Sequence, residues 1–254
     1  MSPAHFPSPD QRLAERDRPT SRPVMRQRWT HLLFLHWEID SALIQSTLPD
    51  GLTVDTFDGK AYLGVVPFFM ERIRPVYCPP VPGVSWFQEL NFRTYVYDAH
   101  GRPGVWFYSL DCNQWLAVKT ARKFFNLPYQ HARMSATKRD GVLTYHSARL
   151  GDDIRQTFHY PTQLIDPIVA DPETLEFFLL ERYRLFSVDR LGQLYSGQVH
   201  HPPYRYQHTE ISGFSTWLFP LAGFDEPKTP PVSTMIAEPV SVHIHPLKRS
   251  ETSL

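Results

Sequence analysis

Apolar and polar residues alternate through much of the chain, and the alternation is broken repeatedly by Pro, Gly and Asp. FQELNFRTYVY, residues 87–97, is the clearest case. A period of two puts Leu90, Phe92, Thr94 and Val96 on one face and Glu89, Asn91, Arg93 and Tyr95 on the other. DAHGRPG turns the chain and VWFYSLD (105–111) returns, which predicts a hairpin. Asp58-Gly59 predicts another inside LTVDTFDGKAYLGVVPFFM (52–70). GVLTYHSARL, IRQTFHY, LGQLYSGQVHH, ISGFSTWLF and PVSVHIH also read as strands.

Three segments carry a helical period instead. DSALIQSTLPDGL is a short helix ended by a Pro-Asp-Gly turn. NQWLAVKTARKFFN predicts a helix near 113–125 with Asn113 as cap. DPETLEFFLLERYRLFS opens on an Asp cap followed by Pro and Glu, which predicts a helix over 171–186. Strands dominate and no βαβ succession occurs, so a doubly wound parallel sheet does not fit. The expected class is α+β: a mainly antiparallel β-barrel or cone with a few flanking helices.

Composition narrows the picture. The 254 residues suffice for one sizeable core, and no linker interrupts the middle of the chain. One domain is expected over 29–220, preceded by a disordered polar tail (1–28) and followed by a Pro-rich segment (221–254) with a last strand at PVSVHIH. The 26 basic and 26 acidic residues cancel, so no net field draws nucleic acid or anionic lipid. No apolar run approaches the roughly 20 residues of a membrane span. The N-terminus lacks a secretion signal's apolar core, and Cys78 and Cys112 form no disulfide framework. These readings predict a cytoplasmic protein without nucleic-acid or membrane partners; they leave the oligomeric state open.

Two arginines sit where the helical pattern asks for apolar residues. Arg122 falls in the arc Trp115, Val118, Arg122, Phe125, and Arg182 falls among Leu175, Phe178, Leu179, Leu185 and Phe186. A single such Arg usually extends its stem along the core and reaches water. Two of them favour an internal polar site, because a buried guanidinium needs carboxylate or carbonyl acceptors. Glu89, Asn91 and Arg93 form a polar strand row that would line the lumen of a closed barrel. Asp111 is a second carboxylate close to the helix that carries Arg122.

QELNFRTYV, the SLD strand leading into ARKFFNLPY, ERYRLF and VHHPPY resemble the signature blocks of the bacterial YqjF-like family, in consistent order from about Trp29 to about Phe219. That family is similar in fold to acetoacetate decarboxylase, which implies an antiparallel barrel or cone with an internal pocket. The decarboxylases carry Gly-Arg-Glu followed by Pro-Lys-Lys, whose first lysine forms a Schiff base. The corresponding residues are Ala121-Arg122-Lys123 and Pro128-Tyr129-Gln130. The resemblance therefore implies a retained pocket, with Glu89 as its glutamate and Tyr129 in place of the nucleophile.

The expectation is a small-molecule-binding protein whose acidic or carbonyl-bearing ligand is held by Arg122, Arg182 and Tyr129. The alternative is a lyase, hydratase or hydrolase with Glu89 as acid and base. One of His200 and His201 can line the pocket, and His201 is taken as that residue; its competing role is a structural bond to a carbonyl. His243-x-His245 adds too few ligands for zinc, so no metal is expected. No Gly-x-Ser-x-Gly elbow marks a Ser-His-Asp triad. No Gly loop cradles a phosphate, so ATP or a dinucleotide does not fit, and no cofactor is expected.

Overall fold

The computed structural model describes residues 6–250. The first half contains α1 (Pro9–Ala14), β1 (Met25–Thr30), β2 (Leu32–Ile39), α2 (Ser41–Thr47), β3 (Leu52–Val54), β4 (Ala61–Pro75), β5 (Phe87–Asp98), β6 (Pro103–Cys112) and α3 (Trp115–Phe124). Then follow β7 (Tyr129–Arg139), β8 (Val142–Arg149), β9 (Gln156–Pro161), β10 (Ile168–Val169), α4 (Leu175–Leu180), β11 (Arg184–Val188) and β12 (Leu194–His200). The chain ends in β13 (Arg205–His208), α5 (Leu218–Leu221), β14 (Ser233–Ala237), β15 (Val240–Ile244) and β16 (Lys248–Arg249).

The result is a sheet-dominated α+β fold with few helices. Pairings run from β4 to β1, β15, β12, β11, β6 and β5, and β5 pairs β4 again, so these strands close a ring. Two flaps extend from it. β2, β14, β13 and β10 continue from β4, and β7, β8 and β9 continue from β6. The long strands β4 and β6 serve ring and flap at once: Leu35 pairs Val65 on the flap side, while Trp29 pairs Met70 within the ring. Most pairings are antiparallel; β6 pairs both β11 and β7 in parallel. Inside the ring, Phe34, Val66, Phe68, Phe107 and Leu110 form part of one core cluster. On its outside, Leu90, Phe92, Leu63, Tyr145 and Phe219 form another. No described helix is long and apolar enough to cross a membrane.

Several expectations are corrected. The Asp58-Gly59 turn forms, with φ of 49° and 77°, but across it only Phe57 bridges Lys60; β3 pairs β5 instead. The helix expected over 171–186 stops at Leu180, because Glu181 (φ −86°, ψ 73°) leaves the helical region. β11 then slots between β12 and β6, buried on both faces, so it shows no alternation that would mark a strand. ISGFSTWLF is not a strand: apart from the Gly213 bridge to His159, it is loop leading into α5. The segment after residue 220 is integral, since β15 is a member of the ring.

The expected N-terminal tail is also ordered from Phe6 onward; residues 1–5, like 251–254, lie outside the described part. Ser8 and Gln11 form a capping box around α1. A helix of this length is unstable alone. It is held by ion pairs of Arg12 with Asp55 (2.6 Å), Arg16 with Glu181 (3.1 Å) and Glu15 with Arg184 (2.8 Å). Polar composition misled here because the partners are buried carboxylates and an arginine distant in sequence.

Candidate functional site

The ring encloses a cavity of about 360 Å³ with a mainly apolar wall. β5 supplies its polar stripe. Glu89, Asn91 and Arg93 project from alternate positions into the cavity, while Leu90 and Phe92 pack outside. Tyr129, at the start of β7, reaches the same space because the parallel pairing sets it against Leu110. Arg182 lines the cavity from the loop between α4 and β11.

Glu89 is 1% exposed, and its Oε2 accepts a 2.8 Å hydrogen bond from the Tyr129 hydroxyl. Burial pushes the carboxyl up to about 7, with Tyr129 and Asn91 pulling the other way by stabilising the carboxylate. The phenol is raised well above its ordinary 10, first by burial and then by the adjacent Glu89 charge, so it stays a donor. Tyr145 donates to the Glu89 backbone carbonyl at 2.9 Å and fixes that part of β5. Cys112 pairs Glu89 across the ladder, and burial pushes its thiol upward, so it is no thiolate nucleophile. The side-chain oxygen of Asn91 is buried without a protein partner.

Arg182 is almost fully enclosed. Its Nε donates to the Phe178 carbonyl and its Nη1 to Asp55 Oδ2, both at 2.7 Å, while the guanidinium stacks 4.2 Å from the Phe178 ring centre. Burial lowers its pKa to about 10, against the opposing pull of Asp55. Asp55 is fully buried and also receives both Arg12 amino groups at 2.6 Å. Nothing in LTVDTFDG distinguishes this aspartate from a turn residue.

Three expected site residues lie elsewhere. Arg122 is exposed on α3 and does not point at Glu89 or Asp111; its Nε donates to the Tyr129 carbonyl (2.7 Å) and its Nη2 to Gln130 (3.3 Å). The helical wheel placed the inward face too near Arg122. Leu116, Ala117, Thr120 and Ala121 face the cavity, and Trp115 and Phe124 remain exposed. Asp111 pairs Leu90 across the ladder and so leaves the sheet on the other face, bonded to Arg149 at 2.9 Å. Burial nevertheless raises it to about 6. His201 is buried outside the cavity, its ring donating to the Pro202 carbonyl (2.8 Å) and stacked 4.5 Å from Tyr183. Burial lowers it to about 4, so it is a neutral structural residue.

Among the described residues no lysine lines the cavity. Lys123, the lysine of ARKFF, is exposed on α3.

A family profile described as "Uncharacterized conserved protein" (DUF2071) matches residues 26–241. YqjF of Bacillus subtilis (strain 168) is 37% identical over 210 residues, covering 82% of this chain and 86% of its own. Acetoacetate decarboxylase from Legionella pneumophila superposes with a TM-score of 0.61 at 14% identity, over 92% of this chain and 91% of that one. The enduracididine biosynthesis enzyme MppR, solved with pyruvate, gives 0.61 at 13% identity, over 92% and 93%. Identities this low establish a shared fold.

Proposed function

The chain belongs to the YqjF-like DUF2071 family, and on that premise we propose that its ring of strands is a barrel whose lumen binds a small acidic or carbonyl-bearing molecule without Schiff-base chemistry. The observation that carries this reading is the Glu89–Tyr129 pair at a cavity that, among the described residues, no lysine lines. An imine needs an amine, which neither a carboxyl nor a phenol supplies; the pair can bind a ligand or exchange protons with it. A cavity of about 360 Å³ suits a small molecule, and the pyruvate in a chain of the same fold supports a ligand of this class. A second reading, an enzyme with Glu89 as general acid and base, is supported by a carboxyl raised to about 7, the value at which both forms coexist near neutrality.

Calorimetry with a panel of short keto and hydroxy acids tests the first reading, alongside borohydride treatment of the same mixtures. Saturable binding weakened by Glu89→Gln, with no covalent adduct by mass spectrometry, is expected. A borohydride-stable adduct overturns it. Glu89-dependent turnover of a panel member selects the enzymatic reading.

A further inference from the structure

The deep end of the cavity carries a positive charge that no carboxylate among the described residues matches. Arg12 and Arg182 share Asp55, Arg16 has Glu181 and Arg184 has Glu15. Among the described residues Arg93 has no carboxylate partner. Its Nη2 makes one 3.3 Å bond to the Leu179 carbonyl, and its Nε is buried with no partner. A guanidinium cannot discharge by losing a proton. Around it, His36 is held neutral by burial and further by Arg93. Arg182 adds a second buried N–H group without a partner, its Nη2, and both guanidiniums lie against the Tyr95 ring, at 5.6 and 5.0 Å from its centre.

This charge is far from Glu89. The two residues stand four apart on one strand, so their backbone positions are separated by about 13 Å. The Arg93 guanidinium leans over Tyr95, two residues farther along. Midway between the two ends Asn91 also faces the cavity, and the wall across the ladders from the stripe is apolar, formed by Val66, Phe68, Phe107 and Leu110. The exposed lining residues Pro75, Val84 and Leu116, with the half-buried Arg74 beside them, mark the mouth at the Glu89 end.

We propose that the ligand is an elongated apolar carboxylic acid, with its carboxylate on Arg93 and Arg182 and its chain running past Glu89 toward the mouth beside α3. The proposal rests on the pocket reading above and narrows it. An acid of two to four carbons cannot touch both ends, whereas a medium-length chain spans them and covers the apolar wall. The carboxylate supplies the acceptors that Arg93 Nε and Arg182 Nη2 lack. An oxygen on the chain near Glu89 would meet the Tyr129 hydroxyl and the carboxyl.

The full chain is titrated by calorimetry with acetate, butyrate, hexanoate and octanoate, and with 1-octanol as an uncharged match for the last. Affinity is expected to rise along the acid series, with octanoate roughly 10- to 100-fold tighter than 1-octanol, as hydrogen bonds to a buried charge predict. Arg93→Met should remove that advantage and leave 1-octanol binding unchanged, which also reports an intact cavity. Equal affinity of octanoate and 1-octanol for the wild-type chain overturns the proposal, and that comparison does not depend on any variant. Pyruvate binding through Glu89 without octanoate binding overturns it while the pocket reading stands. Failure of every probe and of the keto-acid panel removes both.

Discussion

Glu89 offers a quantitative test, because its environment makes folding disfavour its charge. The carboxyl rises from its ordinary 4.5 to about 7, mainly through burial. Below pH 4.5 the group is protonated in both folded and unfolded chains and contributes nothing to the balance. Between 4.5 and about 7 the unfolded chain releases a proton that the folded chain keeps, so the folded chain binds more protons and stability falls as pH rises. Above about 7 the full effect is present, on the order of 3 kcal/mol at about 1.4 kcal/mol per tenfold change in proton affinity. Glu89→Gln keeps an acceptor for the Tyr129 hydroxyl and stays neutral throughout. Urea unfolding of both proteins from pH 4 to 8 should show near-equal stability at the acid end. The variant should be more stable by about 3 kcal/mol at the alkaline end. Asp111, raised to about 6 by burial, adds its own slope to both proteins and cancels in the difference. A difference that stays constant over this range would refute the assignment of a raised, buried carboxyl.

Asp55→Ala leaves Arg182 enclosed with only the Phe178 carbonyl, so unfolding free energy should fall by about 3–5 kcal/mol. Arg122→Ala, on an exposed group, should cost less than about 1 kcal/mol; matching urea midpoints for the two variants would contradict this ordering. Tyr129→Phe removes the hydrogen bond that favours the Glu89 carboxylate, so the carboxyl should titrate still higher, as read by its infrared band. Gly104→Ala places a Cβ 2.7 Å from the Arg184 carbonyl and from the Phe186 ring. Prying β6 from β11 in this way should cost about 1–3 kcal/mol in a thermal or urea melt.

Much of the cavity's polar stripe was legible, because strand alternation is local. Once FQELNFRTYVY is a strand, Glu89, Asn91 and Arg93 must share a face, and the structure turns that face inward. The strand-rich class and the β5–β6 hairpin were legible for the same reason. Arg182 was rightly singled out as buried, though through a helical pattern that ends before it. Arg122 was misplaced because a helical wheel ranks faces but cannot say which neighbour each face meets; α3 packs so that Ala117 and Ala121 look inward and Arg122 outward.

What the sequence alone determined was periodicity, turn chemistry and the identity of the groups available. It could not determine pairing between distant segments, and the remaining features depend on that pairing. Closure of the ring makes a strand of Arg184–Val188, buried on both faces, so its pattern carries no period. Closure also gives Arg12 and Arg182 a common carboxylate in Asp55, respectively 43 and 127 residues away, and thereby holds α1, which lies in a segment whose composition reads as disordered. The same enclosure withdraws water from Glu89 and, among the described residues, leaves Arg93 without a counter-charge. A carboxyl near neutrality and an unmatched guanidinium are properties of burial, and burial is decided only when the strands meet.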